Sequence, residues 1–168
     1  MNRPAIIAFL AACALCVSAC GIYSFSGTSI QPDVNTIAID FFEYTATKVN
    51  PSLSNDITEA LRTQFRKMTK LEQVEIDGDM HIEGAITGYD VSATAITAAE
   101  VASQNRLTIS CKITFTNNLH PEDNLEKSFS QYADFPSTQS LDAVESQLCQ
   151  EIVDKLVEDI FNATVAQW

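Results

Sequence analysis

The chain has 168 residues, 46% of them hydrophobic, and a formal net charge of −12 from 22 acidic against 10 basic side chains. So acidic a balance repels nucleic acid and anionic membrane faces, which excludes partners recruited by positive charge. The length suits one compact domain, and five cysteines raise the question of redox compartment.

The first element is a targeting segment. A short start carrying Arg3 is followed by an uncharged, almost wholly apolar run from Pro4 to Ala19, the layout of a bacterial export signal. That run is shorter than the roughly 18 to 20 residues needed to cross about 30 Å of hydrocarbon, and Gly21 to Gln31 beyond it is polar and turn-rich. Cys13 and Cys16 spell C-x-x-C, but no second such pair and no His pair completes four ligands, so neither zinc nor a redox pair is expected. The lipoprotein signal peptidase accepts small side chains just before its cut and a branched aliphatic one three places back. Val17-Ser18-Ala19-Cys20 and Leu10-Ala11-Ala12-Cys13 both qualify, whereas Cys16 follows bulky Leu15. A cut before Cys13 leaves an apolar core of only about six residues, below the roughly 7 to 15 such signals use. Cys20 is therefore the expected lipidation site, and a diacyl group there supplies the two chains that stable anchoring takes. The expected organisation is a signal peptide over 1–19, a lipidated arm rich in Ser, Gly and Thr over 20–33, and a single α+β domain over 34–168.

Val34 to Tyr44 alternates, which predicts a strand with Ile37, Ile39 and Phe41 on one face. Asn50 is placed to cap a helix whose first position is Pro51, and Leu53, Ile57, Leu61, Phe65 and Met68 form its apolar stripe. Strand-like segments at Leu71–Ile76 and Met80–Ile86 flank Asp77-Gly78, a dipeptide suited to a tight hairpin. The apolar parity changes after Gly88, from Met80, Ile82 and Ile86 to Tyr89, Val91, Ala93 and Ala95, which predicts a bulge there. Leu107, Ile109, Cys111, Ile113 and Phe115 make the clearest half-buried strand, and Leu125 to Phe135 is a weaker one. Ser140 caps a last helix that buries Leu141, Val144, Leu148, Ile152, Leu156 and Ile160 and leaves Glu145, Asp154 and Glu158 to water. The order predicts an α+β fold, two helices packed on one face of a mixed, mostly antiparallel four- to five-stranded sheet.

Chemistry is sparse along this chain. His81 and His120 are isolated, with no motif that would make either a catalytic base, and no metal site or cofactor is expected. Asp77, Asp79 and Glu83 cluster without the ligand spacing of a calcium loop. Arg62, Arg66 and Lys70 recur every four residues, joined by Lys67, and like charges at that spacing repel by a few tenths of a kcal/mol. An anionic ligand would offset the repulsion, and so would a solvated helix C-terminus favoured by the macrodipole. Export also opens the way to a disulfide between Cys111 and Cys149, although both fall on apolar faces where free cysteine is commonly buried.

"CGIYSFSGTSI" after the cut, "VNPSLS" entering the first helix, "NRLTI" opening a long strand and "IFNATVAQW" closing the chain together resemble a divergent branch of the LptE family of lipopolysaccharide-assembly lipoproteins. The resemblance implies a non-enzymatic, lipid-anchored protein on the periplasmic face of a Gram-negative outer membrane. It also implies partnership with an LptD-like β-barrel, which such proteins plug and help to assemble, and contact with lipopolysaccharide. Only Cys20 carries over from the family by position. Gly21 beside it is not the aspartate that retains many lipoproteins at the inner membrane, which favours the outer one. The competing expectation is a free-standing lipoprotein that binds a lipidic or small anionic ligand through the basic stripe, with Ala93, Ala95 and Ala98 leaving room for an acyl chain.

Overall fold

The computed structural model describes residues 29–94 and 104–165. The signal segment, Cys20, Ala95 and Ala98 lie outside the described residues. In chain order the elements are β1 (Thr36–Ile39), β2 (Glu43–Tyr44), α1 (Leu53–Met68), β3 (Glu72–Val74), β4 (Met80–Ala93), β5 (Gln104–Asn117), a 3-10 turn (Pro121–Asp123), β6 (Leu125–Pro136) and α2 (Leu141–Thr164). They build a six-stranded sheet in the order β3-β1-β4-β5-β6, with β2 also on β4. The pairings of β1 with β3 and β4, and of β2 with β4, are parallel. The long pairings of β4 with β5 and β5 with β6 are antiparallel. The α+β class stands, with one strand more than the upper end of the expected range.

The extra strand arises where the first predicted strand breaks. Ile37 and Ile39 face the core, but Phe41 is 59% exposed and Phe42 is fully buried, so the alternation slips between β1 and β2. Gly84 explains the slip. It occupies a core-facing position of β4 between Ile82 and Ile86, and a Cβ there would stand 2.4 Å from the Phe42 ring. The bare backbone of Gly84 thus leaves the hole that Phe42 fills. The Phe42 N–H donates instead to Thr58 Oγ1 at 3.1 Å, and the Thr58 hydroxyl donates to the Ser54 carbonyl at 2.6 Å.

Helix α1 starts later than the Asn50-Pro51 pair suggests. Ser52 holds the N-cap position, and Asn50 Oδ1 accepts from the Ser52 N–H at 3.1 Å, closing a local turn ahead of the helix. Leu53, Ile57, Leu61 and Phe65 are fully buried as the stripe predicts, while Met68 at the end of the helix is exposed and lines a groove along the helix pair. Asp77-Gly78 does not close a hairpin. Strand β1 lies between β3 and β4 and is parallel to both, so the chain leaves β3, passes across β1 and enters β4. Asp77 takes a positive φ of 55° at this crossing. A Cβ on Gly78 would stand 2.6 Å from the Ala38 nitrogen, so the crossing needs a residue without one. Asp79 then fastens the loop: its Oδ2 accepts from the Asn35 and Thr36 N–H groups, each at 2.9 Å, and its own N–H donates to Thr36 Oγ1 at 2.8 Å.

The predicted bulge is present as a register shift between Ile86 and Gly88. In β5 every odd position from Leu107 to Phe115 is buried, as the alternation requires. Helix α2 lies against β5 and β6 and meets α1 through a T-shaped contact of Phe65 with Phe161, ring centroids 5.1 Å apart. Ser140 sits at its N-cap position without a side-chain cap bond. Its buried face is wider than expected, since Cys149, Val153, Val157 and Phe161 join Leu148, Ile152, Leu156 and Ile160. Both helices and one sheet face enclose a single core. Each fully buried aliphatic side chain there contributes about 1.5–3 kcal/mol.

Candidate functional site

Among the described residues no catalytic constellation assembles, so the candidates are surfaces and small polar clusters. The basic stripe is the first. Arg62 is half-buried, its Nη2 donating to the Ile39 carbonyl at 2.7 Å and its Nη1 paired with Glu59 at 3.0 Å. Arg66 Nη2 reaches Gln73 Oε1 at 3.3 Å, and Gln73 Nε2 donates back to the Arg62 carbonyl. The two arginines line a cleft of about 240 Å³ between α1 and β3, which Glu59 and Glu75 also line. Lys70 lies beyond the helix end and outside that cleft, and Lys67 faces a different groove. That second groove, about 650 Å³ along the outer surface of the helix pair, is lined by Asp56, Glu59, Asp154 and Glu158 against Lys67. The fold thus splits the stripe: Arg62 is paired with Glu59, Arg66 shares its cleft beside the neutral Gln73, and the two lysines lie elsewhere.

Cys111 and Cys149 are free buried thiols. Cys111 lies on β5 opposite Phe129, near the part of α2 where Asp159 accepts from Gln131 Nε2 at 2.6 Å. Cys149 precedes that part of α2 by about 15 Å of helix at 1.5 Å per residue, which is why the two sulfurs do not meet. Burial pushes the Cys111 thiol up to about 12 and raises Cys149 as well, so both stay protonated. Cys149 belongs to a polar knot that sequence alone missed. Asn50 Nδ2 lies 3.6 Å from its sulfur and 3.3 Å from Glu145 Oε1, and the Tyr89 hydroxyl donates to the same oxygen. Glu145 is therefore half-buried and bonded rather than left to water. Burial, then the Glu145 bond, raises the Tyr89 hydroxyl far above its usual range.

The sheet face away from the helices is open and polar. On β5 and β6 it carries Thr108, Ser110, Thr114 and Thr116 beside Ser128 and Ser130, with Ser110 and Ser130 hydroxyls 3.0 Å apart. Arg106 grips Asp134 across the strands through two bonds of 2.7 and 2.9 Å and lies 3.6 Å over the Tyr132 ring. At the other side of this face, His81 Nε2 lies 3.0 Å from Asp40 Oδ1, and Glu83 stands beside them. The histidine read as isolated in the sequence thus has carboxylate neighbours, supplied by strand pairing. His120 has them too, with Nε2 3.0 Å from Asp33 and Nδ1 3.5 Å from Glu122.

His120 helps to dock the end of the N-terminal arm. Ser29 N–H donates to the Val165 carbonyl at 2.8 Å, Gln31 Nε2 donates to Asp123 at 2.7 Å, and Asp33 holds His120. Ala93, nominated as part of an acyl-chain surface, is exposed at the far end of β4.

The LptE family model, described as lipopolysaccharide-assembly, matches residues 34–164. No curated protein matches the chain. Among solved structures, a minor lipoprotein from Acinetobacter baumannii is similar at TM-score 0.50 and 9% identity, over 76% of this chain and 89% of that one. A hypothetical protein from Chlamydia trachomatis is similar at TM-score 0.51 and 8% identity, over 78% and 98%. Identities this low speak of a shared fold alone.

Proposed function

Because the chain belongs to the LptE lipopolysaccharide-assembly family, we propose that it is a non-enzymatic outer-membrane lipoprotein that helps to assemble, and plugs, an LptD-type β-barrel inserting lipopolysaccharide. Family membership supports the role in lipopolysaccharide assembly, and the match over 34–164 carries the reading because it takes in both helices and every strand. The barrel partner, the outer membrane and the periplasmic orientation are the finer parts of the proposal. No helix among the described residues is long and apolar enough to cross a membrane. Attachment in this reading rests on an acylated Cys20.

Two physical features support the plug. The lumen of an outer-membrane barrel is polar. The open sheet face, with its rows of serine and threonine hydroxyls, offers such a wall hydrogen-bonding groups without a large apolar patch. The strongly acidic net charge gives no general attraction to anionic lipid, which suits a protein held by an anchor and a partner. Isolating outer membranes in mild detergent and capturing this lipoprotein should recover an LptD-like barrel with it. Recovery of the lipoprotein alone, while other outer-membrane complexes survive, would refute the plug. Mass spectrometry of the mature N-terminus should show an acylated Cys20, and a free Cys20 thiol would remove the anchor.

The cleft holding Arg62 and Arg66 favours a second reading, direct binding of an anionic lipid headgroup without a barrel. Lipopolysaccharide binding should then saturate, weaken with salt, and fall on Arg66→Ala, a change that leaves the Arg62 bond to Ile39 intact. Unchanged binding in Arg66→Ala would discard the cleft.

A further inference from the structure

The geometry points to a divalent transition-metal site at Asp40, His81 and Glu83 on the open sheet face, with zinc as the ion whose chemistry fits best. One donor atom from each of the three side chains lies within 4.8 Å of the others. They converge because of the parallel register. Ala38 pairs with His81 and Ile39 with Ile82, and the ladder continues as the Asp40 N–H donates to the Ile82 carbonyl at 2.9 Å. Side chains two apart along extended backbone share a face, so Asp40, the residue after β1, stands with His81 and Glu83 from β4. The small side chain of Ala38 beside His81 leaves the imidazole room.

The spacing fits coordination. Two donors about 2.0–2.1 Å from one ion lie roughly 3.0 to 3.4 Å apart at right or tetrahedral angles. His81 Nε2 and Asp40 Oδ1 are already 3.0 Å apart. Glu83 needs only a turn of its own exposed side chain to close the third position, and among the described residues it has no hydrogen-bond or ion-pair partner to give up. Glu43 and Lys112 line the adjoining cleft of about 360 Å³, and Lys112 is engaged by Glu126 across the strand. Asp40, Glu43 and Glu83 thus leave local negative charge that no dedicated cation balances. One imidazole and two carboxylates suit zinc, whereas magnesium and calcium prefer oxygen ligands throughout. Three protein ligands leave an open position for water or a group from another molecule.

The test is zinc chloride titrated into the purified, untagged mature chain in detergent, with bound metal read by competition against a fluorescent chelator. One equivalent should bind at micromolar affinity. His81→Ala and Glu83→Gln should each weaken it by at least about tenfold, since even a partner behind a ligand is worth 10 to 100-fold. His120→Ala, which removes the other imidazole, should leave it unchanged. Glu83→Gln alters an exposed side chain without bonds, so its fold should survive, and circular dichroism checks this. The absence of saturable binding by the wild type would overturn the site. So would affinity unchanged in both His81→Ala and Glu83→Gln, or lost to the same extent in His120→Ala.

Discussion

Thr58 shows how one side chain holds a break in the sheet. Its hydroxyl takes the Phe42 N–H that the strand ladder no longer uses, and it is fully buried. Thr58→Val should therefore leave a buried donor unsatisfied and lower stability by about 1–3 kcal/mol in urea denaturation, while Thr58→Ser keeps most of it. The two thiols make a second residue-scale prediction. Cys111 and Cys149 should resist alkylation in the folded protein and react on unfolding, because burial keeps them protonated and covered. His120 supplies a third. The Asp33 bond raises the imidazole above its ordinary 6.5, and the His120 bond lowers Asp33 below 3.8. The pair's contribution is fully present between those ordinary values. It fades as pH rises through the raised His120 value, and as pH falls through the lowered Asp33 value. The Ser29 amide shift should follow both limbs in a nuclear magnetic resonance titration, and His120→Gln should abolish the upper one. The burial of the two thiols was legible from their apolar faces, but the polar pairings were not. Asp33 and His120, or Asp40 and His81, are far apart in sequence and meet only through the fold.

The elements divide along the same line. The alternation of β5 and the stripe of α1 were legible because each is a local period set against one core. The bulge at Gly88 was legible because a parity change has few other causes. The crossing from β3 to β4 was not. A residue at positive φ beside a glycine serves a tight hairpin and a passage over a neighbouring strand equally well, and sequence does not say that β1 lies between. Gly78→Ala distinguishes the two. In a hairpin an added methyl has room, but here it would meet the backbone of β1 at 2.6 Å. The substitution should cost about 1–3 kcal/mol or more, read as a lower urea midpoint with an unchanged slope. Lost Asn35 and Thr36 amide protection should accompany it, since Asp79 would be drawn away from both.

At the scale of the molecule, an α+β body with two helices on one sheet face was legible from the element order. Which surfaces serve a partner was not, because the stripe of cations that stood out in sequence is divided in the folded chain, with Arg62 and Arg66 in one cleft, Lys67 in another groove and Lys70 beyond the helix end. The arm adds a constraint of another kind. Its end is tied to Val165, Asp123 and His120, so residues 21–28 are all the chain that separates that docked end from Cys20. Eight residues reach at most about 30 Å at 3.3–3.6 Å each, roughly the width of the domain itself. With an acyl group on Cys20, the protein would therefore search a shallow layer beneath the membrane, and the corner holding Ser29 and Val165 would stay toward the lipid. The docked arm would set the direction in which a partner has to approach.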